Sequence, residues 1–412
     1  MREDIKERIE LIKCGKVPEG YQKTKFGIIP KDWEIVRIQD ILEKIDNPVK
    51  VEAEEEYTQI GIRSHGKGIF YKEPVTGKEL GNKRVFWVEP DCFIVNIVFA
   101  WECAIARTTK EQSGMIASHR FPMYKPKDKR VNLDYLVLYF MTPKGKEVME
   151  YASPGGAGRN RTLGQERFLN SYIVLPSLRE QENIVRMLDL QKRRIDLLVN
   201  LQDMLKMEKY ILLQKYISGK GRIFDKSSKW SKYKLEQVCE ILDSMRKPLN
   251  ANEREVRQKK YPYYGANGLL DYIDEYIFED ELILLAEDGG NFEDFSLKPI
   301  AKYITGKTWV NNHAHVLKVR REFDSKFVFF ALEHKDIRVY INGTTRAKLT
   351  QEDMKQIRIA IPNSIEEQKK IAKIFTLIDK KRNILSKQEL LLKKEADGLG
   401  QLLFSGILKD KI

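Results

Sequence analysis

Four short stretches place basic and amide side chains among glycines and other small residues. They are GIRSHGKG (Arg63, Ser64, His65, Lys67), GGAGRNRT (Arg159, Asn160, Arg161), YYGANG (Tyr263, Tyr264, Asn267) and NGTTRAK (Thr344, Thr345, Arg346, Lys348). Arginine can fork onto guanine and asparagine onto adenine, while Lys and Arg neutralise phosphates. The competing reading is that each stretch is an ordinary solvated turn. Arg159–Arg161 and Arg346–Lys348 gain weight because they hold matching places ahead of a β-branched run.

Residue patterns for catalysis are weaker. Asp46-Asn47-Pro48-Val49 lacks the second proline and the aromatic that would grip an extruded base. Pro90-Asp91 with Glu102 comes near a nuclease metal site, but Ala104 stands where a lysine is needed. No GxxxxGK[ST] phosphate loop is present, so a nucleotide-driven motor is not indicated. His313 and His315 form the one His-x-His pair, with no cysteine or carboxylate ligand nearby in an obvious pattern. Cys14, Cys92, Cys103 and Cys239 form no CxxC pair. The expectation is a chain with no catalytic residue, no metal and no cofactor.

Charge points the same way as the loops. The 412 residues hold 73 Lys and Arg against 60 Asp and Glu, a net charge of +13. A basic soluble protein favours a polyanionic partner. The N-terminal MREDIKERIELIKCGK lacks the apolar centre of a signal peptide. The longest apolar run, Cys92–Trp101, is too short to span a bilayer and is interrupted by Asn96. It reads as a buried strand, and the chain as cytoplasmic, without a membrane partner.

The elements that must position these loops are written twice. IVLPSLREQENIV from Ile173 returns as IAIPNSIEEQKKIA from Ile359. A shift of 187 places Gln181 on Gln368, Ile184 on Ile371, Leu198 on Leu385 and Ser218-Gly219 on Ser405-Gly406. Upstream, Leu163 stands as far before Pro176 as Leu349 before Pro362, and WEIVRIQDI from Trp33 resembles WSKYKLEQV from Trp230. His119 is a candidate counterpart of His313. Between these anchors the two copies diverge.

Each copy closes on a long helix. Positions 184, 188, 191, 195, 198, 202, 205, 209, 212 and 216, and the same series shifted by 187, carry an apolar seam of period 3.5. Met187, Leu197, Leu201, Met204 and Ile211 flank the first seam, more apolar surface than a two-helix pair requires. They are candidate partner-binding residues; packing against the chain's own globular blocks is the alternative. Gly219 and Gly406 suit left-handed caps at the helix ends. Because the second helix starts where the second block ends, pairing of the helices must be antiparallel.

The tandem Trp-led block, the Pro…Glu-Gln helix start and the Gln…Ser-Gly helix end resemble the specificity subunit of type I restriction–modification systems. TKFGIIPKDWEIVRI at Thr24 and YYGANGLLDYIDEYIF at Tyr263 are similar to segments of that family's recognition domains. The resemblance runs over essentially the whole chain. It implies an α+β fold: two β-rich target recognition domains and two long helices paired as an antiparallel coiled coil, with internal pseudo-two-fold symmetry. The expected divisions are an N-terminal helical segment 1–20, recognition domains 21–179 and 230–365, a first long helix 180–219, a linker 220–229, and a second long helix with a C-terminal tail 366–412. It further implies a non-catalytic subunit that reads a bipartite, asymmetric site in double-stranded DNA. Its partners would be two adenine methyltransferase subunits, joined in the full complex by restriction and translocase subunits. A self-contained restriction or methylation enzyme would need a catalytic domain not visible here. A basic coiled-coil scaffold would have no use for two divergent heads.

Overall fold

The structure is a computed structural model describing residues 3–155, 161–217, 221, 224, 227–257, 260–343 and 347–409. The chain forms two compact units: Met1–Asp196 with Leu390–Ile412, and Leu197–Glu389. Each therefore contains one β-rich head, part of one long helix and part of the other.

In the first unit a four-stranded antiparallel sheet runs in the order Ile105–Arg107, Phe93–Val95, Met123–Pro126, Leu42–Ile45. Phe93, Ile94 and Val95 are all fully buried, because one sheet face meets helices and the other meets the smaller β pairs. The helices are Leu133–Met141, Pro143–Ala152 and Gln165–Asn170. Asn132 and Thr142 cap the first two by accepting from Tyr135 N and Gly145 N. Phe93, Tyr124, Phe140 and Phe168 pack ring against ring with centroids 5.4–6.1 Å apart. Each such ring contributes about 1.5–3 kcal/mol by burial. The apolar run Cys92–Trp101 is strand only over Phe93–Val95. Asn96 turns the chain by accepting Val98 N at 3.1 Å, and Ala100–Glu102 is a 3-10 turn.

The second unit repeats those four strands in the same order as Ala301–Val310, Phe278–Ala286, Ala314–Val319 and Cys239–Ile241. It then extends the sheet: Tyr261–Gly265 adds in parallel to Ala301–Val310, and Gly268–Ile273 forms the edge. The first unit has separate two-stranded pairs instead, among them Ile60–Ile62 with Ile69–Tyr71 and Val85–Trp87 with Ile116–Ser118. The divergence in sequence is thus a divergence in what is attached to one shared sheet.

Backbone bonds fix the equivalences. Leu163 N donates to Ile97 O at 2.8 Å, as Leu349 N donates to Glu287 O at 2.8 Å. Ile97 N bonds Arg120 O at 3.0 Å, as Glu287 N bonds His313 O at 2.9 Å. The counterpart of His313 is therefore Arg120, one residue beyond the expected His119.

The long helices are Leu178–Leu212 and Ile365–Phe404. Every seam position named above is buried or half-buried, while most positions between them are exposed. In the first unit Ile184 and Leu188 pack in one core with Leu399 and Leu403. In the second, Lys209 Nζ reaches Asp379 at 2.8 Å, and Gln202 donates to Glu389 at 2.8 Å. Gln202 and Glu389 hold the same place in the repeat, as an antiparallel pair requires. Gly406 has φ +74, and a Cβ there would meet Pro30 at 2.5 Å. Ser218 and Gly219 lie outside the described residues.

The two helix starts are built alike. Ser177 caps the first helix in a reciprocal box with Glu180, whose other oxygen accepts the Trp33 indole N–H at 3.3 Å. Gln181 is fully buried: its amide donates to Pro176 O and Arg130 O at 2.8 Å and accepts Asn132 N at 2.9 Å. Gln368 donates to Pro362 O at 2.9 Å and accepts Asp324 N at 2.8 Å. Asp324, like Asn132, caps a head helix. The repeated Gln thus ties a helix start to the N-cap of its head. Between its proline and its Glu-Gln pair the second copy has one residue more than the first, Asn363, which lies outside the helix and is held by Lys229 O and Ser231.

Candidate nucleic-acid interface

In the first head, loop 63–68 joins Ile60–Ile62 to Ile69–Tyr71. His65 and Gly66 both take left-handed backbone, φ 61 and 62, which folds the loop onto the Ala100–Glu102 turn. His65 N donates to Glu102 O at 2.8 Å, Gly66 N to Cys103 O at 2.9 Å, and Ser64 Oγ to Glu102 Oε2 at 2.9 Å. The Arg161 guanidinium lies 5.5 Å from the Trp101 ring centre, so two stretches far apart in sequence meet on this turn. Arg63, on the Phe70 ring, and Lys67 are exposed. Arg159 and Asn160 lie outside the described residues. Glu102 is a turn-organising carboxylate, and Asp91 pairs with Arg107 at 2.7 Å. Asn47 donates to Glu89 at 2.6 Å.

In the second head the expected cluster separates. Tyr263 is fully buried, its hydroxyl accepting Leu249 N at 2.9 Å, so it supports the sheet instead of facing a ligand. The correction follows from strand alternation: Tyr263 points inward, and Tyr264 is only half-buried, with Lys302 over its ring. Asn267 is exposed at the hairpin tip and donates to Gly289 O at 2.8 Å. Lys348 pairs with Glu287 at 3.2 Å. Thr344, Thr345 and Arg346 lie outside the described residues.

Glu287 belongs to a charged network in which Arg246 meets it at 2.8 Å. His315, almost fully buried, places Nδ1 2.6 Å from Asp243 and Nε2 2.9 Å from Leu349 O. Burial would push the Asp243 carboxyl up. Bonds from His315, Gln351 and Val316 N outweigh that and hold it below the usual range. His315 is a sheet fastener, and among the described residues no group of three metal-ligating side chains occurs.

A basic groove not anticipated from the sequence lies in the first head. Its volume is about 720 Å³, and Lys72, Lys83, Arg84, His119 and Arg120 line it with Asn82 and no carboxylate. The four Lys and Arg come from three separated segments, so local pattern gave no signal beyond the adjacent Lys83-Arg84.

On the helices, Leu197, Leu201, Met204 and Ile211 are exposed. Met187 is not: it is half-buried against the first unit's core, because its helical face turns towards that head. Leu190, Leu197 and Met204 are exposed at the positions equivalent to exposed Leu377, Ile384 and Leu391. No helix of the described residues is long and apolar enough to cross a membrane.

Residues 30–207 and 227–393 match the family model for the type I restriction modification DNA specificity domain, once in each half of the repeat. A putative type I restriction enzyme specificity subunit of Haemophilus influenzae is 35% identical over 142 residues, 34% of this chain and 35% of that relative's length. The putative type I restriction enzyme MjaX specificity subunit of Methanocaldococcus jannaschii is 23% identical over 95% of this chain and 97% of its own. Among solved structures, the HsdS subunit from Thermoanaerobacter tengcongensis shares the fold at TM-score 0.52 and 16% identity, covering 92% of this chain and 98% of its own. The type I restriction-modification S subunit from M. genitalium does so at TM-score 0.55 and 16% identity, covering 90% and 96%. With both halves of the repeat matched over most of their length, the chain belongs to the type I restriction modification DNA specificity family.

Proposed function

We propose that this chain is a non-catalytic cytoplasmic subunit that reads a bipartite, asymmetric DNA target and docks two adenine methyltransferase subunits. Restriction and translocase subunits would join in the full complex. The observation that carries the reading is the pair of heads: one four-stranded sheet used twice, each time with different β structure attached. Two different heads suit two different half-sites, and a repeated scaffold suits the two-fold symmetry of the DNA backbone. The exposed apolar residues at equivalent places on the two long helices support two like partners, one for each copy. DNA-facing candidates in the first head are Arg63, Lys67, Arg159, Asn160 and Arg161; in the second, Asn267, Thr344, Thr345 and Arg346.

Replacing residues 230–365 with the corresponding head of another family member tests this reading. The methylated target should change in one half only, with the other half and the gap preserved. A target altered in both halves, or unchanged, would refute the division of labour.

A further inference from the structure

We infer that the two heads grip DNA unequally, and that the basic groove of the first head is the electrostatic anchor for the phosphate backbone. The inference rests on the DNA reading above and adds where the salt-dependent part of binding resides.

Its ground is a comparison of equivalent places. In the first head Lys72, Lys83, Arg84 and Arg120 converge on one groove, all exposed, and none has an acidic partner among the described residues. In the second head the position of Arg120 is taken by His313, whose Nδ1 lies 2.9 Å from Asp288. Asp288 itself stands where the first head has Val98, a residue of the groove wall. Lys348 and Arg246 are both spent on Glu287, at 3.2 and 2.8 Å. So at this place on the shared sheet the first head offers a free arginine, flanked by three further cations, where the second head has a histidine already paired with a carboxylate.

Composition agrees. Residues 21–179 hold 25 Lys and Arg against 20 Asp and Glu, whereas residues 230–365 hold 21 against 21. A cation already bonded to a carboxylate must give up that bond to take a phosphate, so it displaces few counterions. An unpaired one displaces a counterion with each contact. Four of the groove's exposed side chains are long cations, beside Asn82, Phe99 and His119. That composition fits backbone contact, which positions without specifying sequence.

The test uses the full chain co-expressed with its methyltransferase partner, and two duplexes, one with the mapped target and one without it. Binding is titrated from about 50 to 300 mM salt, where counterion release dominates. The variant Lys83→Ala/Arg84→Ala/Arg120→Ala should lower the slope of log K against log salt by about 3, since each contact accounts for about 0.9. The loss should be alike for both duplexes, leaving their affinity ratio unchanged. Lys348→Ala should leave the slope as it is. Should the triple variant melt below wild type, single Arg84→Ala and Arg120→Ala variants should each lower the slope by about 1.

An unchanged slope overturns the inference, and so does a Lys348→Ala slope as flat as the triple variant's. A loss confined to the target duplex would make the groove a base reader and overturns it too. If wild type shows no preference for its target, the DNA-specificity reading fails instead. The groove is then judged from the slope on the second duplex alone.

Discussion

Gln181→Leu tests the joint between head and helix. The side chain is fully buried and close to Leu in volume, so the change removes three hydrogen bonds without opening a large cavity. Each bond contributes about 1 kcal/mol net, and a buried group left without a partner costs about 1–3 kcal/mol. Three bonds lost, with Asn132 N–H stranded at the cap of helix Leu133–Met141, come to about 3–5 kcal/mol, offset by about 1 kcal/mol from the added apolar burial. Gln368→Leu removes two bonds and should cost less, about 2 kcal/mol. For a unit of this size each kcal/mol moves Tm by about 2–4 °C, so the net loss of about 2–4 kcal/mol in Gln181→Leu should lower the first unit's transition by about 4–16 °C. Calorimetry of the two transitions reads this out, each variant lowering mainly the transition of its own unit. If both variants melt within a degree of wild type, or if Gln368→Leu is the costlier, the joint does not act as described.

Other outcomes are expected of the same geometry. Lys209, almost fully buried, faces Glu333 and Asp379, and Lys209→Met should cost about 3–5 kcal/mol, much of it regained in Lys209→Met/Glu333→Leu; urea unfolding checks both. Asp243 is held below its usual range by its bonds, so the folded state binds its proton less readily than the unfolded chain. Its contribution is therefore full above the ordinary Asp value of about 3.9 and is lost as pH falls below it. Asp243→Asn should be less stable at neutral pH and show a shallower acid loss, measured by thermal melts from neutrality downward. Leu197→Asp/Met204→Asp changes exposed residues only, and should abolish co-purification of the methyltransferase while leaving the melting curve unchanged. Retained co-purification would move the docking surface elsewhere.

The parts of this molecule that were legible in the sequence are those written twice. The seam from Ile184 to Tyr216 could be counted because a coiled-coil face repeats with a fixed period. The Leu163 and Leu349 anchors were visible because each bonds the chain just past the end of the same interior strand of the shared sheet. What the sequence hid depends on contacts between distant segments. The groove around Arg84 and Arg120 is assembled by chain crossings that no local pattern records. Tyr263 looked like a surface residue beside Gly265, yet strand alternation turns it inward. Met187 sits in the apolar excess of the helix, and only the position of the head decides that it is covered. His119 was one residue out of register, a difference that a backbone ladder resolves and spacing alone does not.

The central claim is that two unlike heads on one repeated scaffold specify two unlike half-sites. Mapping methylated adenines across a genome carrying the complete system tests it most directly. The account predicts one target of two different short sequences separated by a fixed stretch of unspecified bases, with an adenine modified in each half. A continuous site, a palindrome of identical halves or a variable gap would contradict it.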